Sequence, residues 1–217
     1  MRSFGPITYA AERAFKGFRR ASLANILFGI TAEQRGLFRG PTDNDQFDVW
    51  RSARVDVYVL AWLAVELAFA FLAPSATASL LWFILVALAY RVIDITQAAV
   101  NMTVFAHLRR PRGQYNITSA TRALLLTLWT YGELALCFAI FYSTSAASLT
   151  GMATWWDPYY FSAITQLTVG YGDITPLGPT RILVPLQALL GLLLALVAIA
   201  RIVGFMPRPH SVLGDDE

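Results

Sequence analysis

Histidine, cysteine, lysine and charge are all scarce in this chain of 217 residues. The single cysteine, Cys137, has no intrachain partner for a disulfide, and its place inside an apolar run makes it a small core residue. Only two histidines are present, His107 and His210, and both fall outside the long apolar runs. That removes the axial side chains a haem-bearing helix bundle needs, and it leaves no Ser/His/Asp or Cys/His constellation to assemble. Neither enzymatic activity nor an organic cofactor is therefore expected. Charged residues make up 14% of the chain, against about 25% in soluble domains, while 56% of it is hydrophobic. This balance excludes an ordinary soluble globule and points to an integral membrane protein. A formal net charge of +3 does not imply a nucleic-acid partner, because the basic residues sit at the ends of apolar runs rather than in one patch. The N-terminus lacks the apolar core of about 7 to 15 residues that a secretory signal carries, so no cleavage is expected.

What the chain does have is long apolar stretches. A first span is expected from about Asp48 to Ala73, interrupted from Val57 onward only by Glu66, and a second from about Ser79 to Thr103, carrying Arg91 and Asp94. A third, Arg122 to Ser143, contains Glu133, and a fourth runs from Thr180 to Phe205. Each reaches the roughly 20 residues needed to cross the hydrocarbon. The loop from Leu108 to Thr121 is arginine-rich, whereas the turn at Pro74 and the loop from Ser143 to Pro179 carry no basic residue. By the positive-inside rule both termini are expected on the cytoplasmic side of a multi-pass protein of the plasma membrane, the inner membrane if the source is bacterial. Residues 1–46 form an expected cytoplasmic segment in which Ile7, Ala11, Phe15, Phe18 and Ser22 recur at helical spacing beside Arg13, Lys16, Arg19 and Arg20. Two placements stand for it: on anionic lipid, or on the protein's own cytoplasmic end. The remaining divisions are 47–108 for two peripheral helices, 121–206 for the third span, loop and fourth span, and 207–217 for a short cytoplasmic tail.

Between the third and fourth spans lies Thr168-Val169-Gly170-Tyr171-Gly172-Asp173. Glycine enters positive φ cheaply, so alternating glycines allow alternating backbone signs, and successive carbonyls then point the same way. Four such strands around one axis would stack rings of carbonyl oxygens, with the Thr168 hydroxyl as the lowest ring, in place of water around a dehydrated cation. Upstream, Asp157 is a good N-cap and Pro158 a good first helical residue, predicting a short helix from Pro158 to Leu167 whose negative end faces the cation.

The stretch from about Thr121 to Phe205 resembles the pore module of the tetrameric potassium channel superfamily. The resemblance rests on the hexapeptide, on Asp157-Pro158-Tyr159-Tyr160-Phe161 before it, and on Thr165 three residues ahead of Thr168. It implies an all-α membrane protein with four transmembrane helices per chain, a re-entrant pore helix and selectivity filter between the third and fourth, and assembly as a homotetramer. It implies potassium-selective passive conduction, with K+ held by the carbonyls of Thr168, Val169, Gly170 and Tyr171, and with Gly172 in the filter. It also aligns Tyr160 with a donor to Asp173, and Gly191 with a glycine at which inner helices bend; a close-packing role for Gly191 stands beside that hinge. Below it, Ala195, Ala198 and Ala200 suggest a wide cytoplasmic entrance. The chain departs from the pattern at Leu167, where a second threonine is usual, and at Gln166, where the usual residue is small or apolar.

The hexapeptide occurs once, so four chains must meet. A modulatory subunit that co-assembles with other channels is the alternative, and whether the purified chain alone forms a conducting tetramer discriminates the two. Repeated arginines on one span, which voltage sensing needs, are absent. The tail after Arg201 is expected to be too short for a nucleotide- or calcium-binding domain. Intramembrane charges need partners, and depth along the spans sets Arg91 level with Glu133 and places Asp94 one turn on. An Arg91 cluster with Glu133 and Asp94 is expected to fasten the second span to the third, with Glu66 either a fourth member or protonated.

Overall fold

The computed structural model describes residues 22–28, 37–38, 44–100 and 117–205. The amphipathic stretch up to residue 21, the arginine-rich loop through residue 116 and the tail from 207 lie outside them. A short helix α1 (Leu23–Phe28) precedes α2 (Asn44–Leu72), which ends in a 3-10 turn at Ala73–Ser75 and leads to α3 (Ala78–Val100). After α4 (Ile117–Thr144) come β1 (Leu149–Thr150), the short α5 (Asp157–Gln166), β2 (Thr175–Pro176) and α6 (Thr180–Phe205). Among the described residues four helices are long and apolar enough to cross a membrane, in Val49–Ser75, Ala78–Val100, Thr121–Thr144 and Thr180–Val203. The fold is therefore the expected helical one.

Pro74 has no N–H to extend α2, so the chain turns there and α3 returns beside it. Their hairpin packs on α4 through Phe69, Ile84, Leu88, Leu134 and Phe138, which are at most 8% exposed. On its other side α4 carries α5 and α6, with Tyr142 stacked edge-on against Phe161 at 5.0 Å. Leu194 and Val197 of α6 close the same core.

Besides shifts of a few residues at other helix ends, two helix starts and the outer loop differ from expectation. The first membrane helix starts at Asn44, so a division at residue 46 falls inside it. The short α5 begins at Asp157 rather than Pro158, with Trp156 as its cap residue and no side-chain cap. Asp157 does not cap the helix because its carboxylate turns back on the preceding loop. There it accepts from the Ala153 and Thr154 amides at 2.6 and 2.7 Å and from the Thr154 hydroxyl at 2.6 Å. Lastly, β1 and β2 form a two-residue antiparallel ladder, pairing Leu149 with Pro176 and Thr150 with Thr175.

Of the N-terminal segment, α1 packs on the chain's own helices. The Leu23 amide donates to the Tyr90 hydroxyl at 2.7 Å, Arg51 donates to the Asn25 side chain at 2.7 Å, and Phe28 lies edge-on to Trp50.

Candidate functional site: the re-entrant loop and its supports

At residues 168 to 173 the backbone alternates in sign. Thr168 has φ +58°, Gly170 +53° and Gly172 +80°, while Val169 and Tyr171 stay at negative φ. This is the alternation that aligns successive carbonyls. Thr168 was not foreseen in it, because positive φ is a steric outlier for a β-branched residue. The lower half of the segment is sewn to the end of α5: the Thr168 amide donates to the Thr165 carbonyl at 3.1 Å, and the amides of Val169 and Gly170 both donate to the Ile164 carbonyl at 2.9 and 3.3 Å. Helix-end carbonyls, which lack intrahelical donors, thus receive them from the loop.

The upper half is held from outside. Tyr160 donates to the Asp173 carboxylate at 2.8 Å, and the other carboxylate oxygen accepts from the Ile174 amide at 3.1 Å. Asp173 nevertheless stays exposed in the single chain. Beyond it, the β1–β2 ladder ties the strand after the loop to the strand before α5. Thr180 adds its hydroxyl to the Ser148 and Leu177 carbonyls at 2.8 and 2.6 Å. Gly151 is the close approach that permits this: at φ +89°, a Cβ there would lie 2.2 Å from the Asp173 carbonyl oxygen. The hydrogen bonds on Asp157 hold its carboxyl below the ordinary aspartate value, the Thr154 hydroxyl being the largest cause.

Behind α5 runs a buried polar network that the sequence reading missed. Gln187 of α6 donates through one amide nitrogen to the Ser162 hydroxyl at 2.7 Å and carbonyl at 3.0 Å, and its oxygen accepts from Tyr142 at 2.9 Å. Ser162 donates to the Ala135 carbonyl at 2.6 Å, Gln166 donates to the Tyr131 carbonyl at 2.6 Å, and the Tyr131 hydroxyl donates back to the Gln166 carbonyl at 3.1 Å. A glutamine inside a membrane helix is the signal that would have found it, since an amide in hydrocarbon needs partners. Gln166, the family departure, is thereby explained as a strut between α4 and α5. Gly191 is buried against it: a Cβ on Gly191 would meet Gln166 Cγ at 2.8 Å. Close packing gives this glycine a direct reason. Thr165 is buried at the end of α5, directly behind the loop.

Farther from the loop, Arg91 donates to Glu133 at 2.7 Å and to Asp94 at 3.2 Å, and its Nε lies 3.6 Å from Glu66. Tyr58 donates to Asp94 at 3.0 Å, and the guanidinium sits over the Tyr58 and Trp62 rings at 5.5 and 5.4 Å. Glu66 is thus a fourth member. An isolated ionised group at the bilayer centre costs at least about 2.5 to 3.5 kcal/mol, so the cluster ties the α2–α3 hairpin to α4 by necessity of pairing.

A family model described as an ion channel matches residues 126–208, which hold most of α4, all of α5, the hexapeptide and α6. Protein LctB of Geobacillus stearothermophilus is 32% identical to the chain over 105 residues, 41% of this chain and 78% of that protein. The chain belongs to this ion-channel family. In the channel, therefore, α4 is the outer helix of a two-helix pore domain, α5 the pore helix and α6 the inner helix. Protein LctB of Bacillus caldotenax is 38% identical over 61 residues, 28% of the channel chain and 46% of that protein. No solved structure matches the chain.

Proposed function

We propose that four copies of this chain form a potassium-selective channel in the plasma membrane, both termini cytoplasmic, that conducts K+ passively. The carbonyls of Thr168, Val169, Gly170 and Tyr171 and the Thr168 hydroxyl are the ion's ligands, and Gly172 gives the outer turn. The observation that carries this reading is the alternation of positive φ at 168, 170 and 172. An ordinary glycine turn has no use for positive φ at a threonine, whereas a column of inward carbonyls requires it there.

Two features support assembly. Val169 and Tyr171 are exposed in the single chain although they lie within a membrane-embedded loop. On α6, Ile182, Leu186, Leu189, Leu196, Ile199 and Val203 are exposed at spacings of three, four and seven residues, one continuous apolar seam. Neighbouring subunits would cover both. The C-terminal end of the pore helix adds its partial negative charge beneath the filter, favouring a cation.

The test is the purified chain alone in vesicles. A tetramer by native mass measurement together with K+ flux is the expected result. A stable tetramer without flux, gaining it only with another channel's subunits, would assign the modulatory role instead.

A further inference from the structure

Three carboxylates, Glu66, Asp94 and Glu133, surround the one guanidinium of Arg91, and each of the four residues is at most 5% exposed. Fully ionised, three negative charges stand against one positive. One oxygen on each acid, Glu66 Oε2, Asp94 Oδ1 and Glu133 Oε1, has no hydrogen-bond partner, and the one unengaged donor of the cluster, Arg91 Nε, cannot serve all three. Buried carboxylate oxygens without donors call for a donor. Among the described residues no group of acidic, histidine or cysteine side chains has the geometry to hold a metal ion, so the simplest missing donor is a proton.

We propose that this cluster is a proton-binding site, with the proton seated on Glu66, and that its occupancy regulates the channel by setting how firmly the α2–α3 hairpin is held on the outer pore helix. Glu66 is the seat because it is the acid least supported as an anion. Glu133 takes the shortest bond from Arg91, and Asp94 takes one from Arg91 and one from Tyr58. Glu66 has only the more distant Nε contact and the Cys137 thiol at 3.5 Å, a weak donor.

Among the described residues, the ionisable groups in and around the cluster come from three helices: Tyr58 from α2; Tyr90, Arg91 and Asp94 from α3; Glu133 and Cys137 from α4. The two arginines of α6 are engaged at its ends, Arg181 on the Pro176 carbonyl and Arg201 on the Ala123 carbonyl. Releasing the proton sets a third negative charge beside Glu133 and Asp94, and their repulsion loosens the hairpin. The consequence reaches the filter by a short route. Glu133 lies between Tyr131 and Ala135, whose carbonyls accept from Gln166 and Ser162 of the pore helix. One face of α4 thus holds the cluster while the other braces the filter.

The regulatory half of the proposal rests on the reading as a conducting potassium channel; the proton site does not. Infrared titration of the full chain in detergent reads the site directly. A protonated-carboxyl band that fades on alkalinisation and is missing in Glu66→Gln is expected. A band that survives Glu66→Gln, or none from mildly acid to mildly alkaline pH, overturns the site. Should Glu66→Gln not assemble, Glu66→Asp keeps the acid and must shift the band; an unshifted band also overturns it. In vesicles, K+ flux is expected to change with pH in the wild type and to lose that change in Glu66→Gln. Flux that ignores pH while the band titrates overturns the regulatory half, and no flux at any pH sinks the channel reading while the infrared result still decides the site.

Discussion

Thr168, Gly170 and Gly172 share a backbone sign for one purpose, yet they differ in what a substitution there would meet. A Cβ on Gly170 finds nothing within 4 Å in the single chain, so Gly170→Ala is opposed by its φ of +53° alone. Such strain is on the order of 1–3 kcal/mol. The variant is expected to fold and to lose K+ selectivity, checked by comparing K+ and Na+ flux in vesicles. Gly151 is the reverse case. Its Cβ would strike the Asp173 carbonyl at 2.2 Å, so Gly151→Ala must displace the outer mouth, and its expected mark is a lowered thermal transition together with altered conduction. Unchanged melting of Gly151→Ala would mean that this close approach is not kept in the assembled channel. The Tyr160 bond to Asp173 is smaller in scale, because water competes for an exposed hydrogen bond. Tyr160→Phe is expected to leave folding intact and to hasten the decline of current during sustained opening. The wild-type rate of decline in that variant would remove the brace from the account.

Helices carry the next set of expectations. Gly191 was open to two readings, hinge and packing, and its 2.8 Å approach to Gln166 makes them separable. Gly191→Ala should lower stability, and adding Gln166→Ala should restore part of the loss by removing the atoms it strikes. If the second change rescues nothing, the bend rather than the contact is what the glycine supplies. Gln187→Leu leaves the Tyr142 hydroxyl without its partner, while the Ser162 hydroxyl keeps the Ala135 carbonyl. A loss of about 1–3 kcal/mol per buried group left unpaired is the expected cost, read by thermal unfolding. Hydropathy placed the four spans, since composition alone decides what crosses a bilayer. Depth along those spans placed Arg91 beside Glu133, since an intramembrane charge has few places to find a partner. Gln187 and Ser162 escaped notice because a single uncharged polar residue is diluted in the mean hydropathy of a long apolar run and carries no charge that demands a counter-ion. Gly151 and the β1–β2 ladder escaped because their reason is a contact with a residue more than twenty positions away. Asp157 was assigned to the wrong duty for a related cause: a cap and a loop clamp ask for the same residue at the same place.

At the scale of the molecule, the β1–β2 ladder ties the segment after the hexapeptide to the loop before α5, and Asp157 clamps that loop. Because hydrogen bonds hold the Asp157 carboxyl below its ordinary value, its contribution is present at neutral pH and is lost as pH falls through that lowered value. Wild-type channel is therefore expected to show a step of instability in strong acid that Asp157→Asn, measured by thermal unfolding across pH, no longer shows. On the proposed function, the exposed seam on α6 and the uncovered Val169 and Tyr171 are faces that neighbouring subunits cover, and selective conduction belongs to four chains together. One measurement bears on that most directly: the reversal potential of the purified wild-type chain in a planar bilayer, with K+ on one side and Na+ on the other. The account predicts a potential near the K+ limit, abolished in Gly170→Ala. A reversal near zero in the wild type, with current flowing, would show a pore that does not distinguish the two ions and would contradict the filter.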